Sequence, residues 1–235
     1  MSENPWKPSS RIHPPADLLK PITGPSAWTR EVLEQNKSYL YRLSELEISD
    51  IFDAVAKVER ASPQLHEIRK EDFLLPVLGP VLADLREEVI KGRGFVFLRG
   101  LPTEGRSLYK TAAAFWGIGC HFGRAVSQNG KGHLLGHVKD LGADITSPTG
   151  RGYNSASPLG FHADSCDIFG LCVLKTSMSG GQHRMCSSVT VHNEMLKRAP
   201  GLVQELTFRF YRSRRGELPP GETKPWTRQP IFSVT

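Results

Sequence analysis

The chain has 235 residues, 39% of them hydrophobic and 23% charged, the size and balance of one soluble domain rather than a fibrous or disordered chain. No apolar run reaches the ~18 residues of a membrane span, and Met1-Ser2-Glu3-Asn4-Pro5 opens neither a secretory signal nor a transit peptide. A cytoplasmic location with no membrane partner is therefore expected. The net charge of +6 is modest, too small by itself to imply a polyanionic partner.

In chain order, residues 1–26 hold Pro5, Pro8, Pro14, Pro15, Pro21 and Pro25, a density that prevents regular helix and predicts an extended leader. A helical region over 27–92 follows. Val32, Leu33 and Leu40 are spaced for one helical face within Trp28–Tyr41. Ser44 and Glu47 fit a capping box ahead of the stripe Leu46, Ile48, Ile51, Phe52, Val55 and Val58. A third helix is expected from Pro80 to Lys91, with Val81, Leu82, Leu85, Val89 and Ile90 inward and Gly92 as its stop.

Beyond 92 the pattern changes. Gly94–Gly100 is a short apolar run between glycines and reads as a strand. Ser107–Gly117 returns to helix, His133–Lys139 and Ile168–Thr176 suit strands, and Val191–Arg198 suits a helix. Residues 142–160, rich in Gly, Ser, Pro and Thr, read as a long loop. Near the end Arg209, Arg212, Arg214, Arg215, Lys224 and Arg228 outnumber Glu205, Glu217 and Glu222. Without the aromatic interleaving of a stacking platform, this cluster predicts a solvated or anion-facing surface rather than nucleic-acid binding. A helical front followed by short strands predicts α+β, built on a sandwich or barrel.

The segment that carries chemistry is Gly160-Phe161-His162-Ala163-Asp164-Ser165-Cys166-Asp167. In an extended chain His162 and Asp164 project from one face, because strand side chains alternate. Imidazole and carboxylate side by side are two of the three ligands of a facial triad for non-haem Fe(II), a geometry that leaves coordination positions open for cosubstrate and dioxygen. Alone, such a pair is a weak signal, because short motifs recur by chance. His192-Asn193-Glu194 is a second candidate pair, but at a helix start positions i and i+2 do not face each other. Cys120, Cys166, Cys172 and Cys186 match no zinc spacing and are expected as reduced, mostly buried thiols.

The run FHADSCDIFGLCVLKTSMSGG followed by SSVTVHNEMLKRAP, with GRGFVFLRGLP and FWGIGCHFGRAVSQNGKGHLLGHVKDLGAD upstream, resembles the TauD/TfdA dioxygenases, particularly their fungal and plant relatives. The resemblance covers about residues 90–232. It implies a double-stranded β-helix (jelly roll, clavaminate synthase-like) over 93–235, with Fe(II) held by His162 and Asp164 and 2-oxoglutarate as cosubstrate. It further implies oxidation of an unactivated C–H bond in a small-molecule substrate, with 2-oxoglutarate converted to succinate and CO2. Asp167 would stand near the iron. Tyr153 and Asn154 would lie where relatives contact substrate. His183, after Gly180-Gly181-Gln182, occupies the place of a family hydroxyl that helps bind 2-oxoglutarate.

The sequence departs from the family in two respects, the first being His183 in place of that hydroxyl. Relatives bring a second metal-binding histidine, and an arginine for the distal carboxylate of 2-oxoglutarate, from strands further downstream. Here no histidine follows His192, and Arg228 falls too early. The jelly roll is accordingly expected to be incomplete. Two functions follow as expectations: an Fe(II)/2-oxoglutarate oxygenase with a tailoring role in secondary metabolism, or a truncated non-catalytic chain.

Overall fold

Ser44 does open a helix, and the reciprocal cap is complete. Its backbone N–H donates to Glu47 Oε2 at 2.7 Å, and the Glu47 N–H donates back to Ser44 Oγ at 3.3 Å. In the computed structural model, which describes residues 16–61, 64–127, 132–142, 152, 155–164, 166–214, 216, 218 and 221–233, this helix is α2, Glu45–Ala61. It follows α1 (Arg30–Gln35) and strand β1 (Leu40–Arg42). Next come α3 (Leu78–Lys91), β2 (Phe97–Arg99), α4 (Leu108–Phe122), α5 (Ser188–Arg198), α6 (Pro200–Leu206), β3 (Phe210–Ser213) and β4 (Trp226–Gln229). The chain divides into two compact units. One holds Arg30–Val126 and His162–Arg184, and the other holds Met1–Thr29, Ser127–Phe161 and Met185–Thr235.

In the first unit, α2 turns Ile51, Ala54, Val55 and Val58 inward, the i, i+3, i+4, i+7 stripe of an amphipathic helix. The same core takes Leu78 and Leu82 from α3, Ala113 and Ala114 from α4, and Phe73 from the preceding loop. Gly117 of α4 lies flat against the Phe73 ring, so close that a Cβ there would overlap it. The Trp116 indole N–H donates to the Ile68 carbonyl at 2.9 Å, which fixes that loop to α4. Val77 has no side chain that could cap α3. The carboxylate of Asp50, on α2, accepts the Val77 and Leu78 N–H groups instead, each at 2.9 Å. Beside the helices β1 and β2 pair in parallel, Leu40 against Phe97 and Arg42 against Arg99.

In the second unit, Ser187 caps α5 by accepting the Thr190 N–H at 2.9 Å, and its hydroxyl donates to the Ser26 carbonyl. Pro200 opens α6, where its missing N–H costs nothing. β3 and β4 form an antiparallel hairpin with Tyr211 opposite Arg228.

Several expectations change. The helix expected over Trp28–Tyr41 shortens to α1, because Asn36 Oδ1 accepts the Ser38 N–H at 2.9 Å and turns the chain. Leu40–Arg42 becomes strand against β2. In α3 the residues buried are Leu78 and Leu82, while Ile90 is 49% exposed, so the inward face is narrower than Val81–Ile90 suggested. His133–Lys139 and Ile168–Thr176 form no strand. An extended run needs a neighbour that accepts from its N–H groups and donates to its C=O groups, and none pairs with these segments among the described residues. The molecule is therefore mixed helix and strand, as α+β requires, but its strands close no barrel among the described residues.

Candidate metal centre

His162 and Asp164 stand two positions apart on a solvent-exposed stretch that carries no helix or strand. No ladder runs through them, so strand alternation does not orient the pair here. Asp164 nevertheless shares a neighbourhood with Asp167. Partial burial pushes the Cys166 thiol above its ordinary value, and the carboxylates of Asp164 and Asp167 push it in the same direction. Two carboxylates thus bear on one sulfur, and the thiol between them keeps its proton at neutral pH. Cys166 and Cys186 are exposed and Cys120 and Cys172 only half-buried, so the expectation of mostly buried thiols is corrected.

His183 belongs to the same unit as His162 and Asp164 and is solvent-exposed. It follows a tight turn in which Gly180 and Gly181 both take left-handed backbone angles, φ 70° and 69°. The Ser177 hydroxyl closes the turn by donating to the Gly180 carbonyl at 2.9 Å. The left-handed φ is what favours glycine at 181; a Cβ there would also meet the Ser177 hydroxyl, which would have to rotate away from the turn. Tyr153 and Asn154, the expected substrate contacts, lie outside the described residues.

The pair His192/Glu194 diverges. His192 is 2% exposed and hydrogen-bonds through Nε2 to the Leu18 carbonyl at 2.9 Å. A carbonyl can only accept, so Nε2 carries the proton. Its ring also meets Phe232 edge to face, with centroids 5.2 Å apart. Glu194 is exposed and engages Arg198 at 3.0 Å. Between them Asn193 accepts the Ile22 N–H at 2.8 Å and donates to the Ile22 carbonyl at 2.7 Å. Thr190 Oγ1 donates to the Trp28 carbonyl at 2.7 Å. His192 and Asn193, with Thr190, therefore form a structural clasp that holds residues 18–28 on α5, and Glu194 takes no part in it. The sequence showed the motif without its role, because its partners are backbone groups more than 160 positions away.

The pattern of residues agrees with a family. The model of the family described as "Taurine catabolism dioxygenase TauD, TfdA family" matches residues 58–235. The chain belongs to the TauD/TfdA family. It is 32% identical over 216 residues to FR-33289 synthase of Streptomyces rubellomurinus, covering 92% of this chain and 63% of that protein. It is 27% identical over 202 residues to taurine hydroxylase-like protein SAT17 of Stachybotrys chartarum, covering 83% of this chain and 52% of that protein. The chain thus spans between half and two thirds of the length of these relatives.

Against an iron centre, the donors fit in type but not in number. His162 and Asp164 are the right pair for Fe(II). No three or more His, Cys, Asp or Glu side chains come together in a metal-holding group among the described residues. Nor is any helix among them long and apolar enough to cross a membrane.

Proposed function

We propose that this chain is the iron-binding part of an Fe(II)/2-oxoglutarate-dependent oxygenase acting on a small molecule. The observation that carries the reading is the family match across residues 58–235, which contains the His162-Ala163-Asp164 run. In this reading His162 and Asp164 hold iron from one side, and the region from 93 onward belongs to a jelly roll. His183 faces 2-oxoglutarate as a hydrogen-bond donor, and Tyr153 and Asn154 contact substrate. Iron with 2-oxoglutarate supplies the oxidising power for an unactivated C–H bond. The protein's own residues supply donors, orientation and exclusion of water.

Support for a role in making or tailoring a secondary metabolite comes from the relatives' names: one is called a synthase, the other taurine hydroxylase-like. The two names share no substrate, so the proposal extends to the reaction class, with a small organic molecule as substrate.

Anaerobic Fe(II) titration of the purified chain, followed by 2-oxoglutarate-dependent succinate release, tests the reading. The chain is expected to bind Fe(II) saturably. His162→Ala or Asp164→Ala is expected to weaken that binding by more than about tenfold, the loss that even an outer-shell partner of a metal site can cause. Iron affinity untouched by either substitution rejects the ligand assignment. Absence of both iron binding and succinate release favours the non-catalytic chain.

A further inference from the structure

A cleft opens among α2, α3, α4 and the loop that carries Phe73. Its two adjoining lobes, of about 190 and 420 Å3, share Lys70, Gly79 and His121. The larger lobe alone reaches the lower part of the size range of small-ligand sites. We propose that this cleft binds a small organic anion: a carboxylate or other oxyanion carried on a short apolar stem.

The charge is one-sided. Lys57, Lys70, Arg86 and His121 line the lobes, and Glu87 is the one acidic residue with them. Glu87 is already satisfied, with Lys91 Nζ at 2.6 Å and Arg86 Nη1 at 3.5 Å. The Lys91 ammonium holds its carboxyl below the usual carboxylate value. No acceptor meets the Lys57 or Lys70 ammonium among the described residues. Two of the four basic groups are fixed from behind by backbone carbonyls. Arg86 Nε donates to Phe122 O at 2.9 Å, and His121 Nε2 to Phe73 O at 2.9 Å. The result is one positioned guanidinium, that of Arg86, flanked by the exposed Lys57 and Lys70 ammonium groups, with the His121 ring beside them already giving its Nε2–H to Phe73.

The first amides of α3 are not available for that role. Asp50 takes the Val77 and Leu78 N–H groups, and Leu75 O takes that of Gly79. Recognition of charge therefore falls on the side chains. Leu74, Leu75 and Pro76 make the wall of the larger lobe apolar, which calls for a stem and not a bare inorganic ion. Gly79 keeps the floor open. A Cβ there would sit 3.8 Å from Leu75 Cβ and 3.9 Å from His121 Cε1, ordinary contacts that occupy the cleft without straining the helix.

The site is built from α2 to α4 and stands whether or not His162 and Asp164 bind iron. The test is an NMR titration of the isotope-labelled full chain with hexanoate, set beside 1-hexanol and inorganic phosphate. Hexanoate is expected to shift the Gly79, Ala83 and His121 amides saturably, with the alcohol and phosphate each at least about tenfold weaker, the scale of one lost charge or one buried stem. Lys70→Glu, on an exposed side chain with no ion-pair partner among the described residues, is expected to raise the Kd about tenfold. Gly79→Ala is expected to raise it several-fold while the fold is kept. Three results overturn the proposal: no saturable shift with hexanoate, equal affinity for hexanol or phosphate, or affinity unchanged in both variants.

Discussion

At the scale of single residues, polar side chains bonded to backbone carry two of the chain's local structures. Glu47 is 5% exposed and accepts from the Tyr41 hydroxyl at 2.6 Å as well as from Ser44. Burial pushes its carboxyl up. The hydrogen bonds from Tyr41 and from the Ser44 amide and hydroxyl outweigh that push and hold it below the ordinary value. The charged form is therefore bound more tightly in the folded state. Its contribution is present above the unfolded value of about 4.3 and disappears as pH falls through the lower folded one. Glu47→Gln is expected to cost about 1–2 kcal/mol at neutral pH and much less in acid, measured by urea unfolding at both. An equal loss at both pH values would show that shape rather than charge holds the cap. Asn193 acts on the same principle in the other unit, where both of its amide atoms serve Ile22. Asn193→Ala leaves those two backbone groups without their partner, so limited proteolysis within residues 16–28 should become faster. Asn193→Asp keeps the acceptor and should fall between the two.

At the scale of elements, α4 and the loop below it lock through the absence of a side chain. Gly117→Ala gains helix propensity of about 1 kcal/mol, but its methyl would meet the Phe73 ring, which is 0% exposed and has no room to retreat. Overpacking of this kind costs about 1–3 kcal/mol, so a lower thermal midpoint is expected, partly restored by pairing the change with Phe73→Leu. An unchanged midpoint would mean the ring yields. The same contrast separates what the sequence revealed from what it hid. The capping box of Ser44 and Glu47 and the stripe of α2 were legible because the residues that make them lie within a turn of one another. The Asp50 cap of α3 was not, because its targets lie 27 and 28 positions away. Trp28–Tyr41 misled because periodicity alone cannot weigh the turn at Asn36 against helix.

At the scale of the whole molecule, the candidate centre was legible through an ordered series of motifs, not through geometry. His162 and Asp164 sit in a segment expected to be extended, but a strand needs a paired neighbour and none pairs with this segment among the described residues. The same dependence governs solution behaviour. Phe169, Leu171, Val173 and Leu174 form an apolar stretch with no strand partner among the described residues, and their side chains remain 43–59% exposed. Extended apolar backbone with unpaired N–H and C=O groups offers an edge for another chain. The net charge of +6 opposes association, but salt screens it. Light scattering is therefore expected to show self-association that grows with protein concentration and with ionic strength. Phe169→Ser combined with Val173→Lys removes apolar surface and adds charge on side chains that are already exposed. This double variant should stay monodisperse at the same salt with its unfolding midpoint unchanged. Should it associate as the wild type does, the sticky surface lies elsewhere. If its midpoint instead falls by several degrees, those side chains are buried in solution.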